Sequence, residues 1–258
     1  MKHKEQKKLL TSEREKIILN ALSDTGNGIS ELSKKVNVSE ATVRRDLQSL
    51  EQQGKVKRVH GGAVLVKKLE IEPLYTEKAS QNALEKTYIA NLALELINDS
   101  DTIYLDGGST IVQLAKLLDK KNNLTIVTNS LAAIAELVKT EHNLIFIGGE
   151  VRKISRTVVG TLTNEIISKI QINKAFLGTF GFTIEDGIST TEANEAYTKE
   201  LVMKKANEVI VIADSSKLGT PSFVASGKIS DIDILITDKN IDAEFAEQLK
   251  EKNIRLIK

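Results

Sequence analysis

Two arginines occur beside hydroxyl and small side chains in the stretch Ser39–Leu47. Ser39 is a suitable helix N-cap, because its hydroxyl can accept a hydrogen bond from a free amide of the first turn. At about 100° per residue, Val43, Leu47 and Leu50 share one face of the helix that follows. The opposite face then presents arginine and hydroxyl groups, which can donate to base edges in the DNA major groove. A surface helix that binds nothing can have the same pattern. The elements around this helix must therefore distinguish a DNA-binding helix from an ordinary surface helix.

Those elements favour a DNA-binding module. Helical patterns begin near Ser12 and Ser30, and two β-prone runs, Lys55–Val59 and Ala63–Val66, flank a His-Gly-Gly turn. Three short helices followed by a basic hairpin are typical of a winged helix-turn-helix, which we predict for residues 1–68. Either arginine could instead brace Glu40 or Asp46. The predicted DNA contacts are Ser39, Ala41, Thr42, Arg44, Arg45, Gln48, Lys57, Arg58 and His60.

The charge distribution agrees with this prediction. The whole chain carries a formal net charge of only +1. Residues 1–70 hold 15 Lys and Arg against 9 Asp and Glu, a net +6, and the remainder holds 21 against 26, a net −5. The positive charge is therefore concentrated in the part predicted to face double-stranded DNA.

Composition excludes several other classes of protein. With 258 residues the chain is long enough for two domains. It has no cysteine and only three histidines, scattered along the sequence, so we expect neither a disulfide nor a metal site, and no cofactor. No apolar run reaches the length of a membrane span and no signal sequence is evident, so we expect a cytoplasmic protein with no membrane partner.

After a predicted linker at residues 69–79, which contains Pro73, short apolar strands alternate with helices from residue 80 to residue 258. The helical pattern that opens this part runs from Ser80 to Leu96. Strands that alternate with helices predict an α/β doubly wound, mostly parallel sheet. In such a sheet, ligands bind at the carboxyl ends of the strands, where the strand order reverses.

The predicted strands end in loops of similar chemistry. The loops are Asp106–Thr110, Thr128–Ser130, Gly148–Glu150, Gly178–Gly181 and Asp214–Lys217. Gly107 and Gly108 let backbone amides approach an anion, and Ser109 and Thr110 add hydroxyl donors at a helix N-terminus. Lys217 could pair with a phosphate or a sugar oxygen, and Asp106, Asn129 and Glu192 could bind hydroxyl groups. A single loop of this kind is commonly only a tight turn, but five at one edge favour a polyol-phosphate pocket.

Both halves of the chain resemble the DeoR family of sugar-responsive transcriptional regulators. The N-terminal resemblance rests on Arg14, Ile18, Leu22, the Ser39-x-x-Thr-Val-Arg-Arg-Asp-Leu47 stretch and the His60-Gly-Gly-Ala63 turn. The C-terminal resemblance rests on Asp106–Thr110, Thr128–Ser130, Gly148–Gly149, Val159–Gly160 and Asp214–Lys217. The resemblance implies a regulator, usually a repressor, whose C-terminal domain is similar to ribose-phosphate isomerases but serves as a sensor and oligomerisation domain.

The resemblance further implies a phosphorylated sugar as effector, a double-stranded DNA operator as partner, and a homodimer or homotetramer. The effector-binding residues it implies, together with those chosen above, are Asp106, Gly107, Gly108, Ser109, Thr110, Thr128, Asn129, Gly149, Glu192 and Lys217. The rival hypothesis is a sugar-phosphate isomerase or sugar kinase-like enzyme that uses Asp106 and Glu192 as acid and base. The loop Gly178–Gly181 disfavours it, because it lacks the acidic residues of the corresponding isomerase turn, and we predict no catalytic residue.

Overall fold

The computed structural model describes residues 11–22, 27–52, 56–59, 62–65 and 72–258. The chain forms two compact units, Met1–Ile71 and Glu72–Lys258. Each unit has its own hydrophobic core.

The N-terminal unit combines three helices with a small antiparallel sheet. Its elements are α1 (Thr11–Ala21), β1 (Asn27–Gly28), α2 (Ile29–Val36), α3 (Glu40–Gln52), β2 (Val56–Val59) and β3 (Gly62–Leu65). Strand β3 lies between β1 and β2 and is antiparallel to both. The predicted helices and hairpin are confirmed over the described part of this unit.

The core of the N-terminal unit contains the three apolar residues predicted for one face of α3. Val43, Leu47 and Leu50 are all fully buried, and they pack with residues that include Ile18 of α1 and Leu32 of α2. Burial of these side chains fixes the rotation of α3 about its own axis. Its other face is consequently left for contacts outside the core.

The C-terminal unit is built on a parallel sheet flanked by helices. Its elements are α4 (Tyr75–Ser80), α5 (Ala83–Leu94), β4 (Thr102–Leu105), α6 (Ser109–Ala115), β5 (Thr125–Thr128), α7 (Leu131–Leu137), β6 (Asn143–Phe146), β7 (Glu150–Arg152), β8 (Thr157–Val159), α8 (Thr161–Ser168), β9 (Ile172–Leu177), β10 (Gly181–Thr183), β11 (Gly187–Thr190), α9 (Ala193–Lys205), β12 (Ala206–Ile212), β13 (Val224–Gly227), β14 (Ile234–Ile236), α10 (Ala243–Glu251) and β15 (Arg255–Ile257).

Seven strands form the main sheet in the order β15-β14-β12-β9-β4-β5-β6, and all neighbouring pairs are parallel. Alternate residues of a strand enter different cores: Ile103 and Leu105 belong to one cluster and Tyr104 to the other. Burial on both faces is what a sheet covered by helices requires. From β4 the chain adds strands on one side and then, from β9 onward, on the other. The predicted doubly wound sheet is therefore confirmed, and its order reverses between β4 and β9.

Two smaller sheets were not predicted. Strands β10, β11 and β13 form one antiparallel sheet, and β7 pairs with β8 in a hairpin. Strands β8, β10 and β11 are buried along their whole length, so they lack the alternation of polar and apolar residues that marks an exposed strand. Each of these strands has only three or four residues, too few for a period of two to show in the sequence.

The sequence prediction differs from the structure where the chain enters the C-terminal unit. Residues 72–79, predicted as linker, belong to this unit, and Glu72 is buried. The helix predicted from Ser80 to Leu96 is replaced by α4 and α5, since Asn82 between them adopts a left-handed conformation with φ of 49°. Residues 66–71 lie outside the described residues.

Candidate functional site

Helix α3 presents a polar face that is free of core contacts. The Ser39 hydroxyl accepts a 3.3 Å hydrogen bond from the Thr42 amide, so the predicted N-cap is confirmed. The Ser39 and Thr42 hydroxyls also lie 3.0 Å apart. Thr42 is half-buried, and the remaining predicted contact residues on this helix are exposed: Ala41, Arg44, Arg45 and Gln48.

The two arginines of α3 differ in their surroundings. Arg44 forms an exposed ion pair with Glu40, one turn earlier, at 3.1 Å. Arg45 is exposed and has no ion pair within the described residues. Its guanidinium is therefore the more available of the two for a planar, two-bond contact with a guanine edge.

A buried ion pair that sequence reasoning missed holds α3 against α1. Arg14 donates two hydrogen bonds to the carboxylate of Asp46, each of 2.9 Å, and both side chains are nearly inaccessible to water. Asp46 lies on the buried side of α3, one residue before Leu47. The signal that could have found the pair is Asp46 itself, a charged residue within the apolar stripe of α3.

The hairpin of β2 and β3 follows α3, as predicted for a wing. Arg58 on β2 is exposed, and its backbone amide donates to the Glu51 carboxylate at 3.1 Å. The side chain of Lys57 and the whole of His60 lie outside the described residues. Their predicted contacts with DNA phosphates stay predictions.

A second site lies where the strand order of the main sheet reverses. We call it the switch-point pocket. It is lined by Glu72, Lys78, Gln81, Asn82, Lys86, Asp106–Ile111, Asn129, Ser155, Thr157, Gly178–Phe180, Thr190, Glu195, Thr198, Lys199, Ile212–Asp214 and Lys217. The pocket has a volume of about 90 Å³, several times the space that one water needs. Ligands of open α/β sheets bind at this position in the fold.

The floor of the pocket is a hydrogen-bonded bracket between β4 and β9. Asp106, which follows β4, accepts a 3.1 Å hydrogen bond from the Gly178 amide after β9. Lys199 of α9 forms a buried ion pair with Asp106 and donates to the Gly178 carbonyl at 2.8 Å. Asp106 and Lys199 thus neutralise each other, so Asp106 is less available to bind a ligand hydroxyl than the sequence suggested.

Four lysines line the pocket, and they divide into two classes. Lys78 pairs with Glu72 at 2.7 Å, and Lys199 pairs with Asp106. Lys86 and Lys217 form no ion pair within the described residues; Lys217 lies 5.3 Å from the ring centre of Phe180. Two positive charges of the pocket are therefore available to a bound anion.

Lys86 is the more buried of these two lysines, with 4 % of its surface exposed. Its ammonium donates to the carbonyl of Lys78 at 2.5 Å and to the carbonyl of Gln81. Burial lowers the pKa of Lys86, because a charged ammonium is costly away from water. A negative group in the pocket would offset that cost.

Glu72, which also lines the pocket, is the centre of a network of charged groups. It forms ion pairs with Arg152 at 2.6 Å and Lys78 at 2.7 Å, and it accepts a 2.5 Å hydrogen bond from Thr191. Arg152 also contacts Glu195 at 3.3 Å. Burial acts to raise the pKa of Glu72, but the hydrogen bonds from Arg152 and Lys78 outweigh it and hold the pKa below its ordinary value.

Most of the predicted effector-binding residues meet in the pocket. Asp106, Gly107, Gly108, Ser109, Thr110, Asn129 and Lys217 all line it. Asn129 is already held in place, since it accepts a 2.9 Å hydrogen bond from the Tyr104 hydroxyl and donates to the Val158 carbonyl at 2.8 Å. Ser109 and Thr110 are buried at the first two positions of α6.

Three predicted residues do not line the pocket. Thr128 uses its hydroxyl inside the sheet, donating to the Leu105 carbonyl at 2.7 Å and accepting from the Ser130 amide. Gly149 packs against β8 and α8, where an added Cβ would lie 2.2 Å from the Thr163 hydroxyl oxygen. Glu192 is the N-cap of α9 and accepts a 2.8 Å hydrogen bond from the Glu195 amide. At these strand ends and helix starts, the three residues serve a sheet hydrogen bond, close packing and a helix cap.

Lining residues that sequence reasoning missed come mainly from helices. Glu195, Thr198 and Lys199 lie on α9, and Lys78 and Lys86 lie on α4 and α5. A Glu and a Lys four residues apart on a helix ordinarily form an exposed pair, so the pattern of α9 gave no sign of burial. Thr198 and Lys199 are buried on α9 together with Val202 and Met203, but most of the helix is polar, so its sequence held no clear signal of their burial.

Comparison with known families decides between a regulator and an enzyme. Residues 14–69 match the DeoR-like helix-turn-helix domain, and residues 81–239 match the DeoR C terminal sensor domain. The chain belongs to the DeoR family. The family resemblance found in the sequence is thus confirmed over both units, and the DeoR-family proteins that this chain matches are transcriptional regulators, not enzymes.

Relatives of this DeoR-family protein match along most of their length. The HTH-type transcriptional regulator GlpR of Haloferax volcanii is 34% identical over 250 residues, covering 96% of this chain and 98% of the relative. The uncharacterized HTH-type transcriptional regulator FruR of Bacillus subtilis is 36% identical over 231 residues, covering 89% and 92%. A lactose phosphotransferase system repressor of Staphylococcus epidermidis is 34% identical over 226 residues, covering 86% and 88%.

Solved structures resemble the chain more distantly. Ribose 5-phosphate isomerase A of Methanocaldococcus jannaschii is 20% identical, with a TM-score of 0.39 and coverage of 54% of this chain and 55% of that chain. Within the described residues, no helix is long and apolar enough to cross a membrane. No group of His, Asp and Glu side chains suited to a metal ion occurs in the same part of the chain.

Proposed function

We propose that this DeoR-family protein represses a sugar-metabolism operon and that a phosphorylated sugar bound in the switch-point pocket controls its DNA binding. DNA-binding regulation follows from the family. The repressor role, the effector class and the site are the proposal. Among the relatives, one is named a lactose phosphotransferase system repressor, which agrees with a repressor linked to sugar uptake.

One observation carries the effector proposal: Lys86 and Lys217 line the pocket without an ion-pair partner among the described residues. An anion that reaches both would relieve the electrostatic cost of two cations in one partly enclosed site. The same pocket contains the glycine backbone at residues 107–108 and the hydroxyls of Ser109 and Thr110, which are donors suited to phosphate oxygens.

Other groups in the pocket suit the hydroxyls of a sugar. Asn129, Glu195 and Thr157, which line the pocket, carry amide, carboxylate and hydroxyl groups. Amides and hydroxyls can both donate and accept, and a carboxylate accepts, so such groups together can exchange hydrogen bonds with a polyol. A phosphate at one end and several hydroxyls at the other is therefore the ligand chemistry that the pocket fits best.

Self-association completes the proposal. We expect a homodimer or homotetramer whose paired α3 helices bind repeated or palindromic half-sites spaced by whole turns of DNA. The effector then acts only if it binds more tightly to one arrangement of the subunits than to another.

Thermal unfolding of the purified protein tests the effector class. A phosphorylated sugar present at 100 times its dissociation constant should stabilise the C-terminal unit by about 2.7 kcal/mol. The same sugars without phosphate serve as controls and should leave the melting temperature unchanged. Equal shifts from both forms, or no shift from any phosphorylated pentose or hexose, would contradict a phosphate site.

A further inference from the structure

The first segment of the C-terminal unit shares two hydrogen-bond donors with the switch-point pocket. We call residues Glu72–Asn82, which include α4, the latch segment. The ammonium of Lys86 donates to the carbonyls of Lys78 and Gln81, and the Ser109 hydroxyl donates to the Lys78 carbonyl at 3.2 Å. Both donors line the pocket, and both carbonyls belong to the latch segment.

Helix α4 depends on such outside contacts. It has only six residues and none of them is buried. An isolated helix of this length is unstable in water, and the last carbonyls of any helix have no partner within it. The donors Lys86 and Ser109 satisfy one of these carbonyls, that of Lys78, from outside the segment. Removing them therefore weakens the C-terminal end of α4.

The other end of the latch segment is fixed by charge. Glu72 is held by Arg152 and by Lys78, so the ion pair of Lys78 links the start of the segment to α4. Tyr75 adds a 2.9 Å hydrogen bond from its amide to the Ile154 carbonyl and lies beneath the guanidinium of Arg156, 4.9 Å from its ring centre. Glu72 is also the residue at which the chain passes from the N-terminal unit into the C-terminal one.

We propose that Lys86 is an anion-binding residue of the pocket and that anion binding by Lys86 and Ser109 releases the latch segment. The proposal rests on the proposed function, because it takes the phosphate of the effector as the anion. An anion oxygen accepts hydrogen bonds from an ammonium more strongly than a neutral carbonyl does. The two donors therefore turn from the carbonyls of Lys78 and Gln81 to the anion, and α4 loses the support of its C-terminal end.

Release of the latch segment would connect anion binding in the pocket to the part of the chain that leads to the N-terminal unit. Lys217 has no hydrogen bond to the latch segment among the described contacts and lies against Phe180 instead. It can contribute to anion binding without taking part in the release. The two unpaired lysines are thus predicted to have separable roles.

Hydrogen–deuterium exchange of the full-length protein tests this proposal. Without any added ligand, Lys86→Met should speed exchange of the amides at residues 78–82 about tenfold, the change expected when a hydrogen bond from a charged group is lost. Lys217→Met, which removes the same charge from the same pocket, should leave that exchange unchanged. Equal exchange in Lys86→Met and the wild type overturns the proposal.

The second part of the test measures exchange in the wild-type protein with a ligand added. With D-ribose 5-phosphate, D-fructose 1-phosphate or inorganic phosphate as probe, exchange should slow in α6 and quicken at residues 78–82. Ser109→Ala, a smaller change, should quicken exchange at the same residues without a probe. A probe that raises the melting temperature but slows exchange of the latch segment, or leaves it as it was, overturns the release. If no probe shifts the melting temperature, the proposed function itself fails and the release fails with it.

Discussion

At the scale of single residues, the two arginines of α3 show how neighbouring side chains with one chemistry acquire different roles. Arg44 is engaged by Glu40, whereas Arg45 is exposed with no ion pair among the described residues. An exposed pair within a helix contributes little to stability, yet it directs the guanidinium along the helix surface. We therefore assign base contact to Arg45 and a supporting role to Arg44.

Replacing Arg45 with Ala should weaken binding to the preferred DNA sequence by about 1–3 kcal/mol and reduce discrimination at one base pair. Arg44→Ala is the matched control and should weaken binding less, with the same sequence preference. Fluorescence anisotropy on duplexes selected from a random library measures both effects. A larger loss of discrimination for Arg44→Ala would reverse the assignment.

The buried pair of Arg14 and Asp46 belongs to the same scale. Asp46→Ala leaves the Arg14 guanidinium buried without its carboxylate, which typically costs about 3–5 kcal/mol. We expect a loss of that order in the free energy of unfolding of the N-terminal unit, measured by denaturant titration. Exposed Glu40→Ala, one and a half turns away on the same helix, should cost far less. Similar values for the two variants would show that the pair does not stabilise the unit.

At the scale of elements, the loops at the strand ends were predictable and the helices that complete the pocket were not. Carboxyl ends of parallel strands share one edge of a sheet, so Gly107–Thr110, Asn129 and Lys217 had to be neighbours. Which helix residues face that edge depends on how each helix is rotated. The sequence of α9 does not determine its rotation, since buried Thr198 and Lys199 resemble an exposed polar face.

The same reasoning explains why three predicted effector-binding residues do not line the pocket. Thr128, Gly149 and Glu192 stand at strand ends or helix starts, where a polar or flexible residue has two possible uses. The structure uses them locally, in a sheet hydrogen bond, a close approach to α8 and a helix cap. Gly149 also adopts a φ of +151°, which other residues rarely take. Local hydrogen bonding and steric need therefore account for these residue types without a ligand.

Glu72, at the start of the latch segment, should make the stability of the C-terminal unit depend on pH. The pKa of Glu72 is lower in the folded protein than its ordinary value, so the folded state favours the carboxylate. Its contribution is complete above the ordinary glutamate pKa of about 4.3 and is lost as the pH falls through the lowered folded-state value.

Glu72→Gln tests this contribution. The variant should be less stable than the wild type at neutral pH, and the difference should shrink as the pH falls through the lowered pKa. Urea titrations at a series of pH values measure it. Glu165→Gln, an exposed carboxylate paired with Lys169, is the control and should change stability little at neutral pH. A Glu72→Gln difference that is independent of pH would mean that packing, not charge, makes Glu72 important.

At the scale of the whole molecule, the proposed function assigns DNA recognition and effector sensing to two separately packed units. Residues 1–70 carry the net positive charge and include α3, the helix predicted to contact DNA, and the C-terminal unit contains the two pocket lysines that form no ion pair among the described residues. If the two sites lie in separate units, a structural connection must couple them. Binding at one site affects the other only if each ligand binds one conformation of the protein more tightly than another. Lys86, Ser109 and the latch segment are the connection that we infer.

The most direct test of the account is the DNA affinity of the full-length protein, measured with and without the phosphorylated sugar that gives the largest thermal shift. Coupling between distinct sites typically changes affinity by about 5- to 150-fold, so we predict a change of at least about fivefold at saturating sugar phosphate. In Lys217→Met, which lacks one of the two pocket charges available to an anion, the change should require a higher sugar phosphate concentration, while the basal DNA affinity of that variant stays that of the wild type. An unchanged DNA affinity in the wild type, under conditions where the sugar phosphate is bound, would contradict the claim that the pocket controls DNA binding.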